Sequence, residues 1–188
     1  MLLNLNEKQF GKKTPKQSFY MLYDDIDNVA AKEISQWILD ANFCDPEDRP
    51  EVLSLCIMSG GGCLHSTFSI CDFIRGSSIP VRTIATGMIA SGATMIFLAG
   101  KKGMRTLTEN TSIMSHVYTG GSFGKSHELV AATKEHELTT KRMLNHYMNT
   151  TGLSAKAVEK YLLPKEDVYL SAKEALKYGI CDTITKLK

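Results

Sequence analysis

Apolar positions along the chain switch repeatedly between strand-like runs and helical spacing, and the switches lay out the elements. Phe19 to Tyr23 is a short apolar run closed by Asp24-Asp25, which predicts a buried strand. Ala30, Ile34, Trp37, Ile38 and Ala41 then recur at helical spacing. That helix must stop before Asp45-Pro46, because a residue preceding proline is pushed out of the α region. Val52 to Ile57 predicts a second strand. It leads into Ser59-Gly60-Gly61-Gly62 and a helix marked by Leu64, Phe68, Cys71 and Ile74. The Gly76 to Pro80 stretch breaks that helix, and Val81 to Thr86 predicts a third strand. Gly87 to Ala93 then opens a helix of small and apolar residues that ends at Gly100.

Met104 to Leu107 and Ser112 to His116 are the next strand candidates, followed by a stretch rich in glycine at 120, 121 and 124. A long helix is predicted from about Ser126 to Thr151, where Leu129, Thr133, His136, Thr140, Met143 and Tyr147 step by three or four before Gly152. Ser154 can cap a short helix, and Ser171 with Glu174 forms a capping box for the last one. Gly179 closes it ahead of a final strand, Ile180 to Ile184. Strand and helix alternating in this way predict an α/β fold, a parallel sheet with right-handed crossovers. The expected organisation is one domain, residues 18–188, with a projecting long helix and an N-terminal arm over 1–17.

Composition narrows this picture. The 188 residues carry 22 Lys and Arg against 20 Asp and Glu, scattered along the chain, which gives no electrostatic footprint for nucleic acid. No stretch approaches 18 apolar residues, so no membrane span is expected. The N-terminus lacks the apolar core and cleavage site of a signal peptide. Five cysteines without paired spacing predict reduced thiols, hence the cytoplasm or an equivalent reducing compartment such as a plastid stroma, and no metal site.

Candidate chemistry gathers at the strand-to-helix turns, where ligands bind in parallel α/β folds. Gly60-Gly61-Gly62 matches no phosphate-binding pattern; it reads as a tight turn or as a place where backbone N–H groups approach a ligand. Ser91 sits at a helix start among small residues, either an ordinary N-cap or a hydroxyl beside a free N–H. His116 ends a strand and can serve as a general base if the fold brings it to a serine. Asp167 enters a short apolar strand, either a solvated acid or a carboxylate that orients a histidine. His65, His127, His136 and His146 have no metal-ligand spacing and read as structural or surface residues.

Four segments, in order, resemble the motifs of ClpP, the proteolytic subunit of the ATP-dependent Clp protease. They are Ile57 to Gly62, Thr86 to Ala93, Ser112 to Gly121 and Asp167 to Asp182, with 29 positions from Gly62 to Ser91 and 25 from Ser91 to His116. The resemblance spans about residues 18–185 and implies the ClpP/crotonase-like fold with a long handle helix. It implies Ser91 as nucleophile, His116 as general base, Asp167 as orienting carboxylate and the N–H groups of Gly62 and Gly92 as oxyanion hole. It further implies a substrate-pairing strand at Gly120 and Gly121, no cofactor, self-assembly into stacked heptameric rings, and an AAA+ unfoldase that feeds unfolded polypeptides. The family's Ser-Met-Gly-Ala is Ser91-Gly92-Ala93 here, and its Gln-Pro-Leu after the histidine is Val117-Tyr118-Thr119. Crotonase-type enzymes and signal-peptide-peptidase relatives lack a Ser-His-Asp set. An inactive ring subunit that modulates a partner is the alternative function.

Overall fold

Seven strands and six helices interleave in the computed structural model, which describes residues 16–186. They are β1 (Gln17–Leu22), α1 (Asn28–Phe43), β2 (Val52–Ser59), α2 (Leu64–Gly76), β3 (Val81–Ala90), α3 (Gly92–Ala99), β4 (Arg105–Thr108) and β5 (Ser112–Ser115). After these come α4 (Ser126–Thr151), α5 (Ala155–Tyr161), β6 (Val168–Ser171), α6 (Ala172–Lys177) and β7 (Thr183–Thr185). The expected arm lies outside the described residues except at its end, where Gln17 already belongs to β1.

The sheet runs β1-β2-β3-β4-β7 with all of these pairings parallel. Val81 to Ala85 are buried without alternation, as expected where helices cover a parallel sheet. One pairing departs from the expected parallel pattern: β5 lies parallel beside β3 but antiparallel to β6. That exception matters for the site.

β3 is also longer than its sequence pattern suggests. Gly87 looks like the end of a strand, yet β3 continues to Ala90, and the helix starts only at Gly92. At Gly87 the backbone has φ +61, and a Cβ there would press on Met58 Sδ at 3.1 Å. Glycine inside a strand marks such a bend. The bend changes β3's neighbour, from β4 at Thr83–Ala85 to β5 at Met88–Ala90. Thr111 Oγ1 donates to the Ala85 carbonyl at 2.9 Å where the two partners diverge.

Helix α3 has all eight residues buried and packs at the centre of the molecule. Helix α4 is different. Its N-terminal part is mostly exposed, whereas Thr139, Met143, His146 and Tyr147 are buried, so its C-terminal root is the part that packs into the core. The buried Arg105 guanidinium ties that root to the C-terminal segment. It donates to the Thr150 carbonyl at 3.0 Å and forks onto Asp182, Nε to Oδ2 at 3.0 Å and Nη2 to Oδ1 at 2.6 Å. Burial alone would raise the Asp182 carboxyl, but Arg105 and the Gly103 N–H hold it below the usual carboxylate range.

His146, expected to be structural or surface, is structural. Its Nε2–H donates to the Met95 carbonyl of α3 at 2.9 Å, and Arg75 Nη2 of α2 donates to its Nδ1 at 2.9 Å. Accepting from Arg75 at Nδ1 requires a neutral ring. Burial, and then the neighbouring Arg75 charge, push this imidazole down to about 4. An unfolded chain protonates it near 6.5, so the folded state takes up this proton later. The stability it contributes is complete above pH 6.5 and is lost as pH falls toward 4, by about 3 kcal/mol in all. Urea unfolding between pH 7 and pH 4.5 should show this slope in the wild type and a flatter one in His146→Gln.

Candidate active site

Three sequence-predicted side chains meet at the C-terminal edge of the sheet. His116 Nε2 lies 2.8 Å from Ser91 Oγ, and His116 Nδ1 lies 3.2 Å from Asp167 Oδ1. With Nδ1–H donating to the carboxylate, the Nε2 lone pair accepts the serine O–H. The Asp167 side chain is 55% exposed, so this contact adds little stability. Its effect is to fix the ring's tautomer and direction.

Sequence distance is overcome differently for each member. Ser91 follows directly on β3 and precedes α3. Its neighbouring strand β5 then carries the chain to His116, with the Ser91 N–H donating to the Met114 carbonyl at 3.0 Å. Thr94 Oγ1 donates to the same carbonyl at 3.1 Å. Asp167 arrives through the antiparallel pairing of β5 with β6. The register Met114↔Tyr169 and Ser115↔Val168 places His116 opposite Asp167 at the next step.

Ser91 occupies the N-cap position of α3, as an ordinary reading of the sequence allows, but its side chain makes no cap bond. The hydroxyl faces His116 instead. Its backbone has φ 53 and ψ −120, the only positive φ outside glycine among the described residues. Such a conformation costs on the order of 1–3 kcal/mol and persists only when surrounding contacts impose it. A sharp, strained strand-to-helix turn is the physical device that lifts a serine hydroxyl clear of its scaffold. The sequence lacks the usual Gly-x-Ser-x-Gly signature of that turn, so nothing in the linear pattern revealed it.

The glycine turn after β2 lies against this point. Ile26 N–H donates to Gly61 O at 2.8 Å and Cys63 N–H donates to Ile26 O at 2.6 Å, a short parallel bridge that fixes the loop. Between those two bonds the Gly62 N–H has no hydrogen-bond partner among the described residues, nor has the Gly92 N–H at the first turn of α3. Gly61 has φ +96, and a Cβ on it would stand 2.8 Å from Ala90 O, 3.0 Å from Ser91 Cβ and 3.1 Å from Gly92 N. The triple glycine is therefore a tight turn and a close approach at once. Gly92 directly follows Ser91, and Gly61, which precedes Gly62, packs against it, so both free N–H groups belong to segments that meet at the serine.

One supporting contact had no signal in the sequence. Ser115, one residue before His116, is fully buried with its Oγ 2.9 Å from the Tyr147 hydroxyl. Burial pushes that phenol up to about 12, so it stays a neutral partner. Among the described residues, 117–125 belong to no strand, and the substrate-pairing edge expected at Gly120 and Gly121 lies in this irregular stretch. Glycine there weakens strand propensity, and no strand among the described residues pairs with the segment.

A hydroxyl, an imidazole and a carboxylate in line, beside two glycine-lined helix starts on an α/β scaffold, form the arrangement of a serine hydrolase. Comparison with known proteins makes this specific. The Clp protease family model matches residues 8–188, and the chain belongs to that family. It is a Clp protease-like peptidase, of the serine type in general. A solved structure of a ClpP1 mutant from Listeria monocytogenes is 26% identical, with a TM-score of 0.78, over 90% of this chain and 92% of that one.

Gly61→Ala should test the close approach. It is expected to lower the rate at which a fluorophosphonate labels the protein by about tenfold or more, because the loop must retreat from Ser91. Urea unfolding of the same variant should lose about 1–3 kcal/mol from forcing a side chain to φ +96.

Proposed function

We propose that this protein is a serine endopeptidase that hydrolyses unfolded polypeptides inside an oligomeric chamber, with Ser91, His116 and Asp167 as its triad. The observation that carries this reading is the 2.8 Å contact from His116 Nε2 to a serine hydroxyl released from helix capping by its own strained backbone. In the first half-reaction Ser91 Oγ attacks the peptide carbonyl carbon while His116 Nε2 takes the hydroxyl proton. Asp167 stabilises the imidazolium that forms. The carbonyl oxygen becomes an oxyanion held by the N–H groups of Gly62 and Gly92. Collapse breaks the C–N bond, His116 gives its proton to the departing amine, and an acyl-serine remains. Water then repeats the sequence, with His116 as base, and restores the hydroxyl.

The segment after His116 supplies the substrate edge in this reading. Its backbone around Gly120 and Gly121 is not engaged in the sheet, so an extended peptide can add to it as a strand. Main-chain pairing of that kind reads little side-chain identity, which suits degradation of many substrates. Stacked heptameric rings would enclose the site, joined through α4. The exposed apolar residues Leu129, Val130 and Leu138 on its projecting part support such a contact. An AAA+ unfoldase would feed the chamber and supply ATP hydrolysis, since the chain has no phosphate loop. Five unpaired cysteines favour a reducing compartment such as the cytoplasm.

A fluorophosphonate should label the assembled wild-type protein and leave Ser91→Ala unlabelled. Asp167→Ala should cut peptide hydrolysis by about a thousandfold or more through loss of imidazole orientation. Intact rings that resist labelling would overturn the peptidase reading and favour a ring subunit that modulates a partner.

A further inference from the structure

The segment that leaves His116 is held to the body in an unusual way. Among the described residues no backbone hydrogen bond ties residues 117–124 to any strand. Besides the packing of Tyr118 against the core, one side chain on α4 fixes the segment. Tyr118 OH donates to the His136 carbonyl at 3.1 Å, so its oxygen lone pair faces His136 Nδ1 at 2.9 Å. Nδ1 therefore carries the proton, and Nε2 accepts the Ser122 hydroxyl at 3.3 Å. The two rings stack with centroids 5.9 Å apart and planes within 14°. Gly120 passes between these contacts, where a Cβ would stand 3.2 Å from His136 Cε1 and 3.4 Å from Tyr118 Cε2.

Tyr118, Gly120 and Ser122 thus meet one imidazole at every second position. The intervening Val117, Thr119, Gly121 and Phe123 make none of these contacts and are exposed. A period of two is that of an extended chain. His136 accordingly does from the side what a neighbouring strand would otherwise do, and it leaves the backbone edge open. The segment begins one residue from the imidazole that faces Ser91, so its position sets where a paired peptide would lie against the hydroxyl.

We propose that His136 is a positioning residue that holds 117–123 as the extended edge on which a peptide substrate aligns, an inference that rests on the peptidase reading above. His136 touches neither Ser91 nor His116 and acts only through the segment. Its loss should weaken binding of extended peptides while leaving the chemistry of the serine intact.

The test compares wild type with His136→Ala, Tyr118→Phe and His136→Gln in the assembled protein, with three readouts. KM for an extended fluorogenic peptide should rise on the order of tenfold in His136→Ala, with a smaller rise in Tyr118→Phe, since each lost hydrogen bond accounts for a few-fold to tenfold. The kcat and the fluorophosphonate labelling rate, which needs no peptide edge, should stay within about twofold. His136→Gln keeps a side-chain amide near Tyr118 and should recover part of the KM. Amide hydrogen exchange over 117–123 should accelerate in His136→Ala, and this readout needs no activity. An unchanged KM, or labelling that falls in step with peptide cleavage, would overturn the proposal. So would unchanged exchange. A wild type that does not label while exchange still responds to His136→Ala would instead place the failure in the peptidase reading, leaving a clamp with no substrate to align and the proposal overturned with it.

Discussion

The backbone of Ser91 is the constraint on which the rest of the site depends. A serine at φ 53 and ψ −120 is not a conformation that the residue chooses. It is imposed because β3 must end and α3 must begin within one residue, in the middle of a close-packed core. The cost is small beside what surrounds it. Eight consecutive buried residues in α3 each remove apolar or backbone surface from water, and the Ser91 N–H and C=O both find partners across the turn. With the backbone fully satisfied, the hydroxyl is the one group of this residue free to face outward. A more relaxed serine would fold its oxygen back onto the helix as a cap.

Holding that turn is only half the problem, because the imidazole sits on a different strand. The root of α4 joins the two. His146 bonds the α3 backbone at Met95 while Tyr147, the next residue, bonds Ser115 beside His116. Adjacent residues of one helix therefore set the helix of the serine and the strand of the histidine relative to each other. Both polar groups are buried, where an unmet hydrogen bond would cost about 1–3 kcal/mol, so the arrangement has little freedom to drift. The same helix reaches forward through His136 to the segment beyond His116. One long helix thus touches each part of the cleft except the carboxylate and the glycine turn.

Much of this was legible in the linear pattern. Helical spacing and cap residues placed α4 over Ser126–Thr151, the Ser171–Glu174 capping box opened α6, and Ser154 capped α5, because these signals are local and act through neighbours in sequence. Buried strands read as apolar runs for the same reason. Where the pattern misled, a tertiary contact had overridden a local rule. Gly87 looks like a strand end, but pairing with β5 carries β3 through it to Ala90. The family pattern expects a substrate-pairing edge at Gly120 and Gly121, and no strand among the described residues pairs with them.

Residue types and order alone determined an α/β fold, a serine at a helix start, a histidine at a strand end, and an acid ahead of a short strand. Each had an equally ordinary local reading, and collinear resemblance was what joined them. Only the tertiary structure decided that the serine hydroxyl leaves its cap role, that the antiparallel turn of β6 sets Asp167 opposite His116, and that Gly61 packs against Ser91. The reason is physical. Hydrogen-bond direction and close approach between residues 25 to 51 positions apart are properties of packed surfaces, and no local sequence pattern encodes them.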